Sequence, residues 1–473
     1  MAKQSIPMLK GDKIAPGLET DYRDAMPVNM YAVERQTLGA AGYMLSYPGL
    51  TQIGTGQGQD RGAIYNERFG DQYRLSGTNL ISVSADGATV VLGAILGVDQ
   101  ATLSAYSFIT QCIVANGEAY LYSPTAGLVQ IVDADIGSPI DVVWVSPGFY
   151  FFTDGEYLYH TDLADETSIN ALSYDTSEFS PDKTLGVSLN AEDKIMVWNR
   201  HSLEYFTYIA SAAGFAFQRL KTRTQRTGIV ATHAKVEIGG KVYITGGGEK
   251  EAVGIHIIGT GSVEKISTRE IDKILKQYTE PELVDMRMEG RMEDGVTFVI
   301  VHLPNESLCF NENIAQKFGS ASAWTLLKSG TGDTPYRAIN GVNDARSAKW
   351  VYGDKQEANI GYLDNDKCTH YGEIAEWIIY TPFLKLETLS VDEISLETIP
   401  GHTITDDATV ALSASYNGLT YGAEYWIDYG AENEYGKGFY ARAVGYVPNW
   451  VGYRFRGATR SRMAFLNLRL TYS

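Results

Sequence analysis

The chain has 473 residues, 44% of them hydrophobic and 20% charged, with 48 glycines and 31 tyrosines, a balance that excludes a disordered chain and favours strands joined by tight turns. A formal net charge of -18 opposes avid wrapping of nucleic acid without forbidding DNA to pass through an acidic channel. The three cysteines, Cys112, Cys309 and Cys368, form no CxxC pair, which excludes a complete disulfide framework and a strong metal signature and suits a reducing compartment of synthesis.

In chain order, MAKQSIPMLKGDKIAPG reaches Pro7 and several charges before any long apolar run, so no signal peptide is expected. No later run approaches the ~20 apolar residues that span a bilayer, and the expectation is a soluble protein made in the cytoplasm. GTGQGQDRG, Gly54 to Gly62, carries closely spaced glycines but lacks the Gly-Lys-Ser/Thr ending of a phosphate-binding loop.

From there the same short unit recurs: a strand-like run, a polar or glycine-containing turn, and a second strand-like run. It appears at Gln72 to Gly87, Glu118 to Asp133, Gly148 to Leu163, Asp193 to Ile209, Gly240 to Ile258, Gly295 to Asn311 and Ala348 to Asp364. In GFYFFTDGEYLYHTDL the pairs Tyr150, Phe152 and Tyr157, Tyr159 recur at intervals of two, and Asp154-Gly155 supplies the turn. Most steps between units are near the ~40–50 residues of a four-stranded propeller blade. ATVVLGAI, SPIDVVWVS, KTLGVSL and GIVATHAKVEI provide further strands. The expected fold is all-β, a six- or seven-bladed β-propeller-like body with a C-terminal β-sandwich-like domain and a short decorating helix. That helix falls in STREIDKILKQYTE, with Ser267 or Thr268 as cap and Ile271, Ile274, Leu275 and Tyr278 at helical spacing before Pro281. Beyond Leu363 longer alternating strands begin. The division expected is 1–60 for an N-terminal segment and the start of the propeller, 61–365 for the body, and 366–473 for the C-terminal β domain.

No chemistry assembles from these residues. The seven histidines stand singly, and Cys368-Thr369-His370 is a CxH without a matching pair. Asp133 with Asp135, Asp162 with Asp165 and Glu166, and Asp406 with Asp407 would suit calcium or a glycosidase pair, but solvated turns account for them more simply. No catalytic, cofactor-binding or metal-ligating residue is assigned, and no enzyme is expected. KTRTQRT, Lys221 to Thr227, is a short basic patch. Arg442, Arg454, Arg456, Arg460, Arg462 and Arg469 gather positive charge near the end of an acidic chain, and with the aromatics between them they are candidates for a protein interface.

The segment MPVNMYAVERQTLGAAGYMLSYPGLTQIGTG, Met26 to Gly56, with its Asn29 to Tyr31 and Tyr47 to Thr51 elements, resembles the tail hub, or packaged DNA stabilisation, proteins of short-tailed bacteriophages. GRMEDGVTFVIVHLPNESLCFN, Gly290 to Asn311, and GYRFRGATRSRMAFLNLRLTYS, Gly452 to Ser473, carry the same resemblance over nearly the whole chain. It implies a late virion tail protein, in a ring expected to be hexameric beneath the portal-adaptor ring protein. Such a ring would retain packaged DNA, pass double-stranded DNA, hold tailspikes and the tail needle, and serve genome ejection through the host envelope. No cofactor and no integral membrane association are implied. Two other readings compete with it. One is a propeller carbohydrate-binding protein or glycoside hydrolase acting on host-surface polysaccharide; the other is a nucleic-acid-binding module using the arginine-rich end as a phosphate-facing stripe.

Overall fold

The computed structural model describes residues 2–7, 26–34, 41–163, 165–209, 214–259, 262–386, 388–398, 403, 409–418 and 420–473. Each of the seven hairpin units forms, in antiparallel register, around its turn. The turn at Asp154-Gly155 shows why. The Asp154 carboxylate accepts the N–H groups of Glu156 (2.9 Å) and Tyr157 (2.7 Å), and Gly155 takes φ +98°, a conformation other residues resist.

Six of these hairpins grow in place into separate sheets whose strands follow chain order. The first is Asp60–Asn66, Asp71–Ser76, Asn79–Val83 and Thr89–Ala94; the second, three-stranded, is Gln111–Ala115, Glu118–Ser123 and Gly127–Gln130. Asp141–Val145, Phe149–Thr153, Tyr157–Asp162 and Asp165–Thr176 make the third, and Thr184–Leu189, Ile195–Asn199, Leu203–Tyr208 and Phe217–Arg219 the fourth. The fifth centres on Lys241–Gly247, and the sixth runs Arg287–Glu293, Val296–His302, Ser307–Asn311 and Trp324–Leu327. The seventh departs from the pattern. After Ala338–Asp344, Lys349–Asp354 and Asn359–Asp364 it takes in Gly49–Thr55, from the other end of the chain, and then Thr369–His370 and Glu373–Ile374.

Neighbouring sheets pack face to face, and the aromatic strand Phe149–Thr153 is buried at every position. Its pleat sends Tyr150 and Phe152 against Cys112, Val114 and Leu121 of the second sheet, and Phe149 and Phe151 against Val197, Phe206 and Phe217 of the fourth. Ile81 and Val83 of the first sheet share a cluster with Val351 and Ile360 of the seventh.

The expected six- or seven-bladed β-propeller-like body is corrected by these sheets. None of them is closed or strongly curled, so a closed propeller is not supported; the architecture is an all-β chain of many open sheets. A recurring hairpin specifies local antiparallel pairing, set by each turn and its flanking pattern. Closure depends on contacts between distant residues, which leave no periodic trace in the sequence.

Two further sheets lie mostly in the last hundred residues. Ala2–Pro7, Asn467–Tyr472, Leu389–Leu396 and Phe439–Val447 form one, and Trp377–Tyr380, Trp450–Gly457, Thr409–Ser415 and Tyr425–Asp428 the core of the other. Phe439 meets Phe455 edge to face between them, with centroids 5.4 Å apart. A three-stranded sheet, Met30–Val33, Tyr43–Ser46 and Ala464–Phe465, joins the two ends of the chain.

The expected helix is present as α1 (Arg269–Leu275), capped by Thr268 and burying Ile271 and Leu275. Pro281 falls in a separate 3-10 turn, Glu280–Leu283. A second helix, α2 (Glu312–Phe318), was not expected. Asn311 caps it by accepting the Ile314 N–H at 3.2 Å.

Candidate functional site

Strands from five sheets, with residues 102–108, line a half-open cavity of about 630 Å³. Ala63 comes from the first sheet, Asp141 to Trp144 from the third, Val187 to Leu189 from the fourth, Lys235 to Glu237 from the fifth, and Arg287 and Met288 from the sixth. Strand alternation brings one polar group from several of these strands to a common space.

Asp141 is fully engaged there. It accepts the Thr102 hydroxyl at 2.8 Å, the Val187 N–H at 2.8 Å and the Lys235 ammonium at 2.7 Å. Lys235 also donates to the Thr232 carbonyl at 2.6 Å. Burial, and then the charges of Arg287 and Lys235, push the His233 imidazole well below its ordinary range, so the ring is neutral at pH 7. Its Nε2–H donates to the Gln100 carbonyl at 3.2 Å, which leaves Nδ1 an acceptor. Arg287 makes only long bonds, to Ala101 O at 3.3 Å and Gln100 Oε1 at 3.5 Å, and its buried Nε has no partner. Burial draws the guanidinium below its usual value. At the mouth Phe108 stands edge-on to Trp144, 5.8 Å between centroids, with Arg68 over its ring at 5.1 Å.

Beside this cavity runs a buried charged network. Arg74 donates to Asp60 at 2.7 Å and to the Asn340 and Val351 carbonyls at 3.1 and 2.7 Å. Glu289 accepts from the backbone N–H groups of Asn340 and Gly341 and sits 3.3 Å from the His302 ring. Burial alone would raise its carboxyl. His302, Arg287 and the Gly341 N–H outweigh that and bring it down to about 2.

The six C-terminal arginines do not form one stripe. Arg462 turns inward as a clamp, donating to Ser46 O (2.8 Å), Asn365 O (2.9 Å) and the Tyr31 hydroxyl (2.8 Å). Arg454 and Arg456 grip Glu424 at 3.1 and 2.7 Å and lie over Tyr421 and Trp426. Arg442 and Arg469 are mostly exposed and pair with Glu393 and Glu397. Arg460 is exposed, and its carbonyl accepts the Cys368 N–H at 3.0 Å. The sequence reading took in the aromatics between the arginines, Tyr446 among them, but missed those before them: Tyr416, Tyr425, Trp426, Tyr435 and Tyr440, like Tyr446, are more than half exposed. Alternation in Phe439–Val447, with Phe439 and Val447 buried and Tyr440, Arg442 and Tyr446 outward, was a usable signal, obscured by the register shift opposite Val391 and Glu393.

The remaining candidates serve local structure. Asp133 accepts the Asp135 and Ile169 N–H groups, Asp162 the Ser168 hydroxyl, Asp165 the Thr167 hydroxyl, and Glu166 the Thr110 hydroxyl. Asp406, Asp407 and His402 lie outside the described residues. In the Gly54 to Gly62 segment the N–H groups of Gly56 and Gln57 are spent on Ala358 O and Ser76 Oγ. Arg223 of the basic patch pairs with Glu192. The three thiols are free and buried, and burial pushes Cys309 and Cys368 up to about 11. Among the described residues no three His, Cys, Asp or Glu side chains are placed to hold a metal ion.

Two family descriptions match the chain in series: Bacteriophage P22 Gp10, beta-propeller, over residues 4–368, and Bacteriophage P22 Gp10, beta-sandwich, over residues 376–473. The Tail hub protein gp10 of Salmonella phage P22 is 28% identical over 474 residues, covering 98% of each chain. Among solved structures, a streptogramin B lyase aligns with 67% of this chain and 97% of its own at 11% identity and TM-score 0.45. A virginiamycin B lyase from Staphylococcus aureus aligns with 65% and 94%, at 11% identity and TM-score 0.42. Likeness that weak carries no argument about this chain.

Proposed function

The chain belongs to the bacteriophage P22 Gp10 family, and from that premise we propose that it is the hub subunit of a short phage tail. Membership makes it a structural, non-catalytic protein of the phage particle, synthesised in the host cytoplasm. The proposal is finer. Copies assemble as a hexameric ring below the portal-adaptor assembly, extend the DNA channel, retain packaged DNA, and anchor the tailspikes and the tail needle for genome ejection.

The observation that carries this reading is end-to-end correspondence: two family matches in order, and a tail hub relative aligned over 98% of both chains. The hand-over between matches, at residues 368 to 376, supports a boundary between a body of 61–365 and a C-terminal domain of 366–473, while the first match runs through residue 60 without a break. Two physical features agree with an assembly role. Exposed tyrosines, Trp426 and the outward Arg442 and Arg469 concentrate on the C-terminal sheets, a composition favoured at protein interfaces. A net charge of -18 would keep a DNA backbone from adhering to a conduit lined by carboxylates.

The test is reconstitution of the purified chain with the portal-adaptor assembly, followed by imaging. A ring at the distal end is expected. No association, under conditions in which the other tail components assemble, overturns the proposal.

A further inference from the structure

The cavity among the five sheets has a charge pattern at odds with the rest of the molecule. In a chain of net charge -18, its lining holds three cations, Arg68, Lys235 and Arg287, against two carboxylates, Asp141 and Glu237. Lys235 and Asp141 satisfy each other at 2.7 Å. Arg287 is left with two long bonds to uncharged oxygens, a buried Nε without an acceptor, and no carboxylate within ion-pair distance among the described residues. A buried donor without a partner is unfavourable, and a guanidinium fork matches a carboxylate in shape and charge. Next to it, neutral His233 offers an acceptor at Nδ1.

We infer that this cavity is a binding site for a carboxylate-bearing ligand with a compact apolar body, its carboxylate on Arg287 and its body toward Trp144 and Phe108. About 630 Å³ lies within the range of small-molecule sites, and the Phe108 and Trp144 rings stand at its mouth. Glu289, Asp60 and Asp141 are near enough to act on the Arg287 charge but none is bonded to it, so a single ligand carboxylate would complete its hydrogen bonding. A second would face Asp141 and Glu237 with no counter-cation of its own. Two sources supply this chemistry: a free small carboxylate, or the C-terminal carboxylate of a polypeptide. The inference stands independently of the tail hub reading.

The test uses the full purified chain, with N-benzoylglycine as the free carboxylate and N-benzoyl-Ala-Gly as the chain-end mimic, each beside its C-terminal amide, in calorimetric titration. The acids are expected to bind with Kd below ~1 mM and the amides about tenfold or more weaker, the loss of one charge-assisted hydrogen-bonded contact. Binding of only the first acid assigns a free metabolite, and of only the second a polypeptide terminus; either supports the site. Arg287→Gln should abolish the preference for acid over amide. Ser104→Trp fills the cavity from an exposed position and leaves Arg287 in place, and it should abolish binding with unchanged circular dichroism, so a misfolded Arg287 variant leaves the question decidable. No binding of either acid, equal binding of acid and amide, or undiminished binding in Ser104→Trp overturns the inference.

Discussion

Arg74 has no exposed side-chain surface, and among its acceptors Asp60 Oδ2, Asn340 O and Val351 O come from the first and seventh sheets. Removing one partner of a buried pair strands the other's charge, so Arg74→Met is expected to cost about 3–5 kcal/mol, read as a lowered urea midpoint. His370 gives a pH-dependent counterpart. It is buried, its Nδ1 lies 2.8 Å from the Ser329 hydroxyl, Tyr336 stands edge-on to its ring and Arg337 is nearby. Burial, and then the Arg337 charge, bring the imidazole from 6.5 down to about 4. The unfolded chain therefore binds more protons between those values. The contribution is fully present above pH 6.5 and is lost as pH falls toward 4, by ~3 kcal/mol. His370→Gln is expected to flatten that part of the stability profile by a similar amount; an unchanged slope would show that the ring is protonated in the folded state. Neither role was legible in the sequence. Arg74 and His370 are unremarkable letters whose partners lie far along the chain, and Arg462, read with its neighbours as a candidate for a protein interface, is a clamp on Ser46, Asn365 and Tyr31.

At the scale of single elements the sequence was far more readable. Spacing by two and an Asp-Gly turn are local signals, and the hairpin at Phe149–Thr153 and Tyr157–Asp162 has the register they imply. Its aromatics divide by position: Phe152 and Tyr159 are fully buried and stacked at 5.6 Å, whereas Tyr157, at the start of its strand, is 41% exposed. Phe152→Ala is expected to cost about 3–5 kcal/mol through lost contacts and a cavity, and Tyr157→Ala no more than about 1 kcal/mol. Chemical denaturation of the two variants side by side checks the contrast, and equal losses would mean that both strands bury their aromatics alike. Helix α1 was legible through Thr268 and its apolar spacing. Helix α2, equal in length to α1, was missed because its cap Asn311 also ends a strand and Ile314 is its one fully buried apolar residue, so no apolar spacing marks it.

At the scale of the whole molecule the chain ends are tied together. Ala2–Pro7 lies along Asn467–Tyr472, residue 2 opposite 472, and Gly49–Thr55 completes a sheet begun by Ala338–Asp344. Removing residues 1–7 leaves Asn467–Tyr472 with one strand neighbour, Leu389–Leu396, in place of two. Hydrogen exchange in 467–472 is expected to speed up on the order of tenfold or more, while Phe149–Thr153 keeps its protection. Unchanged exchange at 467–472 would mean that the pairing adds nothing to that strand. The all-β class, the seven hairpins, α1 and the family resemblance were within reach of the sequence, because turn chemistry, alternation and order of motifs act over neighbouring residues. Three things were not: that the sheets stay open, that most C-terminal arginines pair within the chain, and that strands of five sheets meet around a cavity where the Arg287 Nε has no acceptor. Each is set by side chains brought together from remote positions, and no local pattern records which remote groups will meet.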